Sequence, residues 1–248
     1  MNLLSETAAW LADPRHWQGS GGIPIRLLEH IALSGVSLLI AALIALPVGL
    51  WIGHTGRGAT LAVNLANLGR ALPSLAVIGL ILPVTAAIDT QLGFKVYPTV
   101  IGMVVLAAPP LLVNAYAGVS GVDRDLVEAA RAMGMREGQV LGRVEIPVAL
   151  PVILAGVRSA AVQIVATATL GAIFGGGGLG RYLVEGIAQN NDGMIFGGVV
   201  LIAGLALSTE LFLSILQRQL TSAGVRREAG GPGSTVVPTL PDQEGAPA

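Results

Sequence analysis

The chain of 248 residues contains no cysteine, which removes disulfides, thiolate metal ligands and cysteine nucleophiles from consideration. Lysine is nearly missing: Lys95 stands alone against thirteen arginines, and charged residues make up only 12% of the sequence, about half the share of an ordinary soluble domain. The formal net charge of −1 gives no support to a nucleic-acid partner or to a polybasic lipid-binding surface. His16, His30 and His54 are dispersed without metal-ligand spacing, and the acids within apolar runs are solitary, so nothing supports a metal site or a membrane enzyme. What fills the sequence is apolar: 53% of the residues are hydrophobic, which places the chain in the membrane class with the lipid bilayer as its solvent.

A helix needs about 20 mostly apolar residues to cross the hydrocarbon. Residues 31–52 carry no charge and form the first span; residues 59–88 form a second, interrupted by Arg70, Pro73 and Pro83; residues 96–122 form a third, containing Pro109 and Pro110. After a polar stretch, residues 146–174 make a fourth span and 194–216 a fifth. Five spans put the termini on opposite sides. Residues 1–28 hold Glu6, Asp13 and Arg15 without a basic start to an apolar run, which excludes a cleavable signal peptide and marks an extracytoplasmic or interfacial segment. Residues 29–220 are the expected transmembrane domain, and the Gly-, Pro- and acid-rich residues 221–248 an expected disordered tail.

The basic residues orient the spans. Arg57, Arg124, Arg131, Arg136, Arg143, Arg218, Arg226 and Arg227 fall on the side of the 123–145 loop, and Arg15, Arg26, Lys95 and Arg181 on the other. Eight against four predicts that this loop and the C-terminus are cytoplasmic and the N-terminus outside. No internal repeat is visible, so a single copy is not expected to enclose a pathway by itself.

The polar stretch "DRDLVEAARAMGMREGQVLGRVEIPVALP" from Asp123 has the pattern of a helix, a corner and a second helix. Asp125 and Glu128 have capping-box spacing, Gly134 stands where the first helix would end, and Pro147 suits the first turn of the fourth span. Leu126, Ala129, Ala130 and Met133 recur at helical spacing and predict a small apolar face open to another protein.

These residues carry a family resemblance. Glu128, Ala129, Ala130, Gly134, Val144, Ile146 and Pro147 match the cytoplasmic coupling-loop pattern of ABC-importer permeases, with valine and isoleucine where isoleucine and leucine are usual. The stretches "RALPSLAVIGLILP", "APPLLVNAYAGVSGVDRDLVEAARAMGM", "IPVALPVILAGVRSAAV" and "TATLGAIFGGGGLGRYLVEGI" resemble permeases of osmoprotectant importers, a group that moves glycine betaine, carnitine and choline. The resemblance covers residues 25–220, and Ala115 departs from it where threonine is expected after Asn114.

It implies an all-α integral membrane protein of the type I ABC importer permease fold, with about five transmembrane helices and a cytoplasmic helix-turn-helix loop at 123–147. It also implies a second permease chain, identical or paralogous, two ATPase subunits that bind ATP and Mg, and an extracytoplasmic substrate-binding protein. This chain would then hold no cofactor and catalyse no reaction. Asp125, Glu128, Met133 and their neighbours would transmit ATP-driven closure. Without that role, Glu128 would only pair with Arg124 or Arg131 on the helix surface, worth a few tenths of a kcal/mol.

Polar residues within the spans are costly and need a reason. Asn64, Asn67, Arg70 and Ser74 share one face of the second span, with the break at Pro73 beside them; they either line the pathway or bond between helices. Asn114, Tyr116, Gln163, Thr167 and Thr169 are weaker candidates of the same kind. Arg158 lies roughly 17 Å beyond Pro147 and Glu210 roughly 12 Å before Arg218 along their helices, depths at which an ion pair can form.

The run "GGGGLGRY", with Gly175, Gly176, Gly177, Gly178 and Gly180, lacks the Lys-Ser/Thr ending of a phosphate loop; it is expected outside, as a flexible gate loop or a plain turn. Ten scattered aromatics supply no cage for a quaternary ammonium group, so selectivity is expected in the separate binding protein. The sequence therefore predicts the membrane subunit of an ATP-driven importer of osmoprotectants. Alternatives are an importer of another small zwitterion or amino acid and, more remotely, a passive channel or scaffold.

Overall fold

The computed structural model describes residues 2–89 and 91–221, with the side chains of Leu61, Ala62, Leu65, Ala66, Leu68 and Arg70 outside the description. Among the described residues every regular element is helical. In chain order they are α1 (Leu3–Ala12), α2 (Ile23–Thr55), α3 (Ala59–Ala71), α4 (Ser74–Ile88), α5 (Leu92–Lys95), α6 (Tyr97–Ser120), α7 (Arg124–Ala132), α8 (Glu137–Val140), α9 (Ile146–Ala168), α10 (Gly180–Gln189) and α11 (Asp192–Leu220). A 3-10 turn, Pro14–Trp17, follows α1; a π-helical turn, Leu141–Glu145, joins α8 to α9; and a second 3-10 stretch, Thr169–Phe174, ends α9.

Among the described residues, four segments are long and apolar enough to cross a membrane: Ile23–Thr55, Tyr97–Ser120, Glu137–Phe174 and Asp192–Leu220. The expected second span is instead two helices, because Leu72 and Pro73 are extended and start α4 afresh. At 1.5 Å per residue neither α3 nor α4 reaches the roughly 30 Å of a hydrocarbon core. Pro83 does not share in the break and lies inside α4. The interior prolines Pro47, Pro109, Pro110 and Pro151 likewise leave α2, α6 and α9 continuous, a tolerance found where neighbouring helices re-satisfy the freed backbone groups.

The core is a triplet of α2, α6 and α9. Ala41, Ala45, Met103, Ala107, Leu111, Ala160 and Ile164 form its middle. Small residues bring the backbones together, as membrane helices require in the absence of a hydrophobic drive between them. On α2, a methyl added at Gly49 would stand 2.6 Å from the Leu112 carbonyl oxygen, and one at Gly53 would stand 2.7 Å from Val119 Cβ. Ala115, the departure from the resemblance, belongs to this contact: it is fully buried and its Cβ lies 2.8 Å from where a Gly49 methyl would be. It is a packing position, and no polar surface loses a hydroxyl there.

Helix α11 packs on α9 and α10, and α1 lies across its first turns. Trp10 seats against Gly197 and crosses Tyr182 edge to face at 5.1 Å. The first part of the chain thus holds a docked helix, Leu3–Ala12, and residues 23–28 already belong to α2. Of the expected tail, Thr221 is described, bonding back to the Gln217 carbonyl at 2.8 Å; residues 222–248 lie outside the described residues.

Candidate functional site

The polar stretch folds as two helices that meet at a glycine corner. Asp123, and not Asp125, caps α7: its carboxylate accepts from the Asp125 N–H at 2.9 Å, which leaves Asp125 in the first turn. At the far end Gly134 takes φ +85°, Gly134 N–H donates to the Arg131 carbonyl at 2.9 Å and Met135 N–H to the Ala130 carbonyl at 3.3 Å. These two bonds make a Schellman closure, in which a left-handed glycine satisfies the last carbonyls. Gln139 then reaches back to the Arg136 N–H at 2.9 Å to start α8.

The expected apolar face of α7 divides in two. Val127 and Ala130 turn inward, Ala130 to 2% exposure, and pack with Val119, Val122, Val140 and Ala149. Leu126 (45% exposed), Ala129 and Met133 (78% exposed) form the outward face, beside an exposed Glu128. Ala130 therefore holds the loop to the bundle, and the surface open to a partner consists of Leu126, Ala129 and Met133.

Pro147 stands in the first turn of α9, as its position in the sequence predicts. The backbone runs unbroken from Glu137 to Phe174, and the π-helical turn just before the proline bonds Ile146 N–H to the Leu141 carbonyl, five residues back. That wider turn lies immediately ahead of the proline, whose ring and missing N–H disturb an ordinary α turn. Val144 and Ile146 are half-buried on it, and Glu145 is 4% exposed.

Glu145 is at the centre of a charged cluster that no local pattern announces. His54, in the last turn of α2, places Nδ1 2.6 Å from Glu145 Oε2 and Nε2 3.2 Å from Glu137 Oε2. Arg131 donates from Nε and Nη2 to the two oxygens of Glu137, each at 3.0 Å. This paired carboxylate holds the Arg131 guanidinium above its ordinary pKa. The cluster borders a cavity of about 460 Å³ between α2, α6 and α7, whose walls include Tyr116, Arg124 and Glu128. The one sequence hint was Glu145 itself, an acid inside the apolar end of the motif.

The other sequence-predicted residues are spread along the bundle. Arg158 Nε lies 3.0 Å from Glu210 Oε1, and Arg158 also donates to Gln217 Oε1 at 3.1 Å, joining α9 to α11. Asn64 and Asn67 are exposed on α3, Pro73 is at the break and Ser74 is half-buried at the start of α4; the Arg70 side chain lies outside the described residues. Asn114 donates to the Pro110 carbonyl of its own helix at 2.8 Å and packs on Gly156, and Gln163 donates across to the Leu106 carbonyl at 3.3 Å. Thr167 is half-buried, and Thr169 Oγ1 is buried without a partner.

At the opposite end of the bundle the glycine run is pinned. Gly175 and Gly178 adopt φ +81° and +87°, Gly176 N–H donates to the Gly171 carbonyl at 3.0 Å, and a side chain on Gly177 would run into the Glu29 carboxylate. Gly178 N–H donates to Glu29 Oε2 at 2.8 Å and Leu179 N–H to His30 Nδ1 at 3.3 Å. Gly180 starts α10, close against the Thr169 backbone. The glycine run is thus tied to α2 by the Glu29 carboxylate and the His30 ring. Among the described residues no cluster of His, Cys, Asp or Glu could hold a metal.

Residues 45–223 match the family model described as "Binding-protein-dependent transport system inner membrane component". The chain belongs to this family. The permease is 32% identical over 85% of its length to the choline transport system permease protein OpuBB of Bacillus subtilis, covering 94% of that protein. It is 33% identical over 83% of its length to the carnitine transport permease protein OpuCB of Listeria monocytogenes, covering 92% of it. Among solved structures, a chain of the inward-facing MetNI methionine ABC transporter superposes with a TM-score of 0.73 at 23% identity, over 85% of the permease and 100% of that chain. This likeness shows the fold, that of a type I ABC importer permease. The chain is therefore a multi-pass membrane transport subunit; its family works with an ATPase, a substrate-binding protein and a second permease.

Proposed function

We propose that this permease forms, with a second permease chain, the membrane pathway of an importer for quaternary ammonium osmoprotectants of the choline, carnitine and glycine betaine type. Identity of 32–33% over more than four-fifths of the chain to permeases named for choline and carnitine supports the substrate class. Two ATPase subunits, which bind ATP and Mg, dock on the α7–α8 loops, and a binding protein delivers substrate to the opposite face. The excess of arginine on the loop side supports a cytoplasmic loop and C-terminus, with α1 and the glycine run outside.

The observation that carries the docking role is the outward face of α7. Leu126, Ala129 and Met133 are exposed on one side of α7 and its cap, beside Glu128, with the helix end locked by the Gly134 closure. Exposed apolar side chains grouped on an otherwise charged loop suit a protein contact. The polar face of α3, with Asn64 and Asn67 exposed beside the break at Pro73, lines the pathway between the two permeases; the glycine run braces its outer end.

Two measurements test this. Uptake of labelled choline, carnitine and glycine betaine by cells whose only such importer contains this permease should require an intact ATP site in the ATPase. Glu128→Lys or Gly134→Leu should abolish substrate-stimulated ATPase activity and co-purification of the ATPase; survival of both would refute the docking assignment.

A further inference from the structure

Beside the apolar packing of Val127, Ala130 and Val140, a polar tie between side chains connects the α7–α8 loop to the transmembrane core. His54 ends α2, and Gly56 at φ +69° closes that helix two residues later. Its ring bridges Glu145 of the π-helical turn, 91 residues further along the chain, and Glu137 of α8. Glu137 is held in turn by Arg131 of α7. Nδ1 is hydrogen-bonded to Glu145 at 2.6 Å and Nε2 faces Glu137 at 3.2 Å, so the ring stands between two carboxylates. Arg131, Glu137, His54 and Glu145 thus form one polar chain from α7 through α8 to the end of α2 and the π-helical turn.

We propose that His54 is a positioning residue for energy coupling: its ring, bridging Glu145 and Glu137, makes the end of α2 follow the loop when the ATPases close. The proposal rests on the docking role assigned above to the loop. The geometry gives α2 a reason to be the follower. His54 lies next to Gly53 and one turn beyond Gly49, where α2 is packed backbone to backbone against α6, so a pull on the ring moves the core triplet. Glu145 is almost without solvent, so losing the His54 ring would strand a buried carboxyl group without its partner. The remaining charged and titratable groups around the same cavity are Arg124, Glu128 and Tyr116.

The test uses the whole importer in proteoliposomes, with transport and ATP hydrolysis measured together. His54→Gln keeps a polar side chain but cannot reach both carboxylates at once. It should still co-purify with the ATPase, while substrate transported per ATP falls about tenfold. His54→Arg, with a forked set of donors that can bridge Glu137 and Glu145, should restore the ratio. A His54→Gln importer coupled as well as wild type, or a His54→Arg importer no better than His54→Gln, overturns the proposal.

If His54→Gln does not reach the membrane, Glu137→Gln decides. It weakens the exposed half of the tie and should lower the ratio two- to threefold; an unchanged ratio overturns the proposal. Failure of the docking assignment looks different: Glu128→Lys would then leave the ATPase bound, whatever position 54 does.

Discussion

Helix α2 is fastened at both ends by a histidine, and the two fastenings are built from different materials. At the glycine end His30 is 1% exposed, accepts at Nδ1 from the Leu179 N–H and lies with Nε2 2.9 Å from the Val165 carbonyl. One ring nitrogen must accept and the other donate, so this ring is neutral and its tautomer is fixed by backbone. At the loop end His54 meets the carboxyl groups of acidic side chains on both sides. A backbone fastening has no alternative partner and does not respond to charge. A fastening between titratable side chains can be exchanged, screened or titrated. The same residue type thus serves as a rivet at one end of the helix and as a linkage at the other.

That contrast is broken most severely at the rivet. Gly178→Val places a β-branched residue at φ +87° with its Cβ about 3 Å from the His30 ring; backbone strain alone costs about 1–3 kcal/mol. The expected outcome is loss of folded permease from the membrane, read by immunodetection and by melting in detergent. His30→Ala leaves the Leu179 N–H and the Val165 carbonyl buried without partners, a loss of about 1–3 kcal/mol each way the polar group is stranded. Its melting temperature should fall by the same amount at pH 6 and pH 8; a drop confined to one pH would show that this ring is not held neutral by the backbone.

The middle of the bundle offers a reference between the two ends. Reversing Arg158 or Glu210 alone sets like charges against each other at 3.0 Å and should lower membrane yield several-fold, with recovery in the Arg158→Glu, Glu210→Arg double variant. A double variant no better than either single would remove the pair as a support of α9 on α11. The smallest effect belongs to the loop. Asp123→Ala deletes the cap of α7, about 1 kcal/mol of local helix stability; it should leave the melting of the bundle nearly unchanged and lower the ATPase's affinity for the permease.

Much of this architecture was legible in the sequence because it is periodic or local. Long uncharged runs could only be spans, Gly134 after an Ala-rich helix could only be a stop, and counting turns from Pro147 and Arg218 put Arg158 and Glu210 at comparable depth. Reading failed where facing or distant pairing decides. Spacing alone placed Ala130 with Leu126, Ala129 and Met133, but the helix turns Ala130 inward to the core. Asp125 looked like the cap because Glu128 follows at the right interval, yet Asp123 precedes the helix and reaches the free N–H. The glycine run looked loose because glycine is permissive; its anchors, Glu29 and His30, lie 149 residues earlier. His54 was set aside as a lone histidine since both its partners come from beyond the third span.

The π-helical turn at Leu141–Glu145 also fixes a direction. Each residue of an α-helix advances the azimuth by about 100°, so one extra residue wound into a turn sets the compass bearing of everything before it relative to everything after. Here it aims Leu126 and Met133 with respect to α9. Deleting a single residue between Leu141 and Glu145 would leave every side chain of α7 intact and point its outward face about a quarter of a turn away.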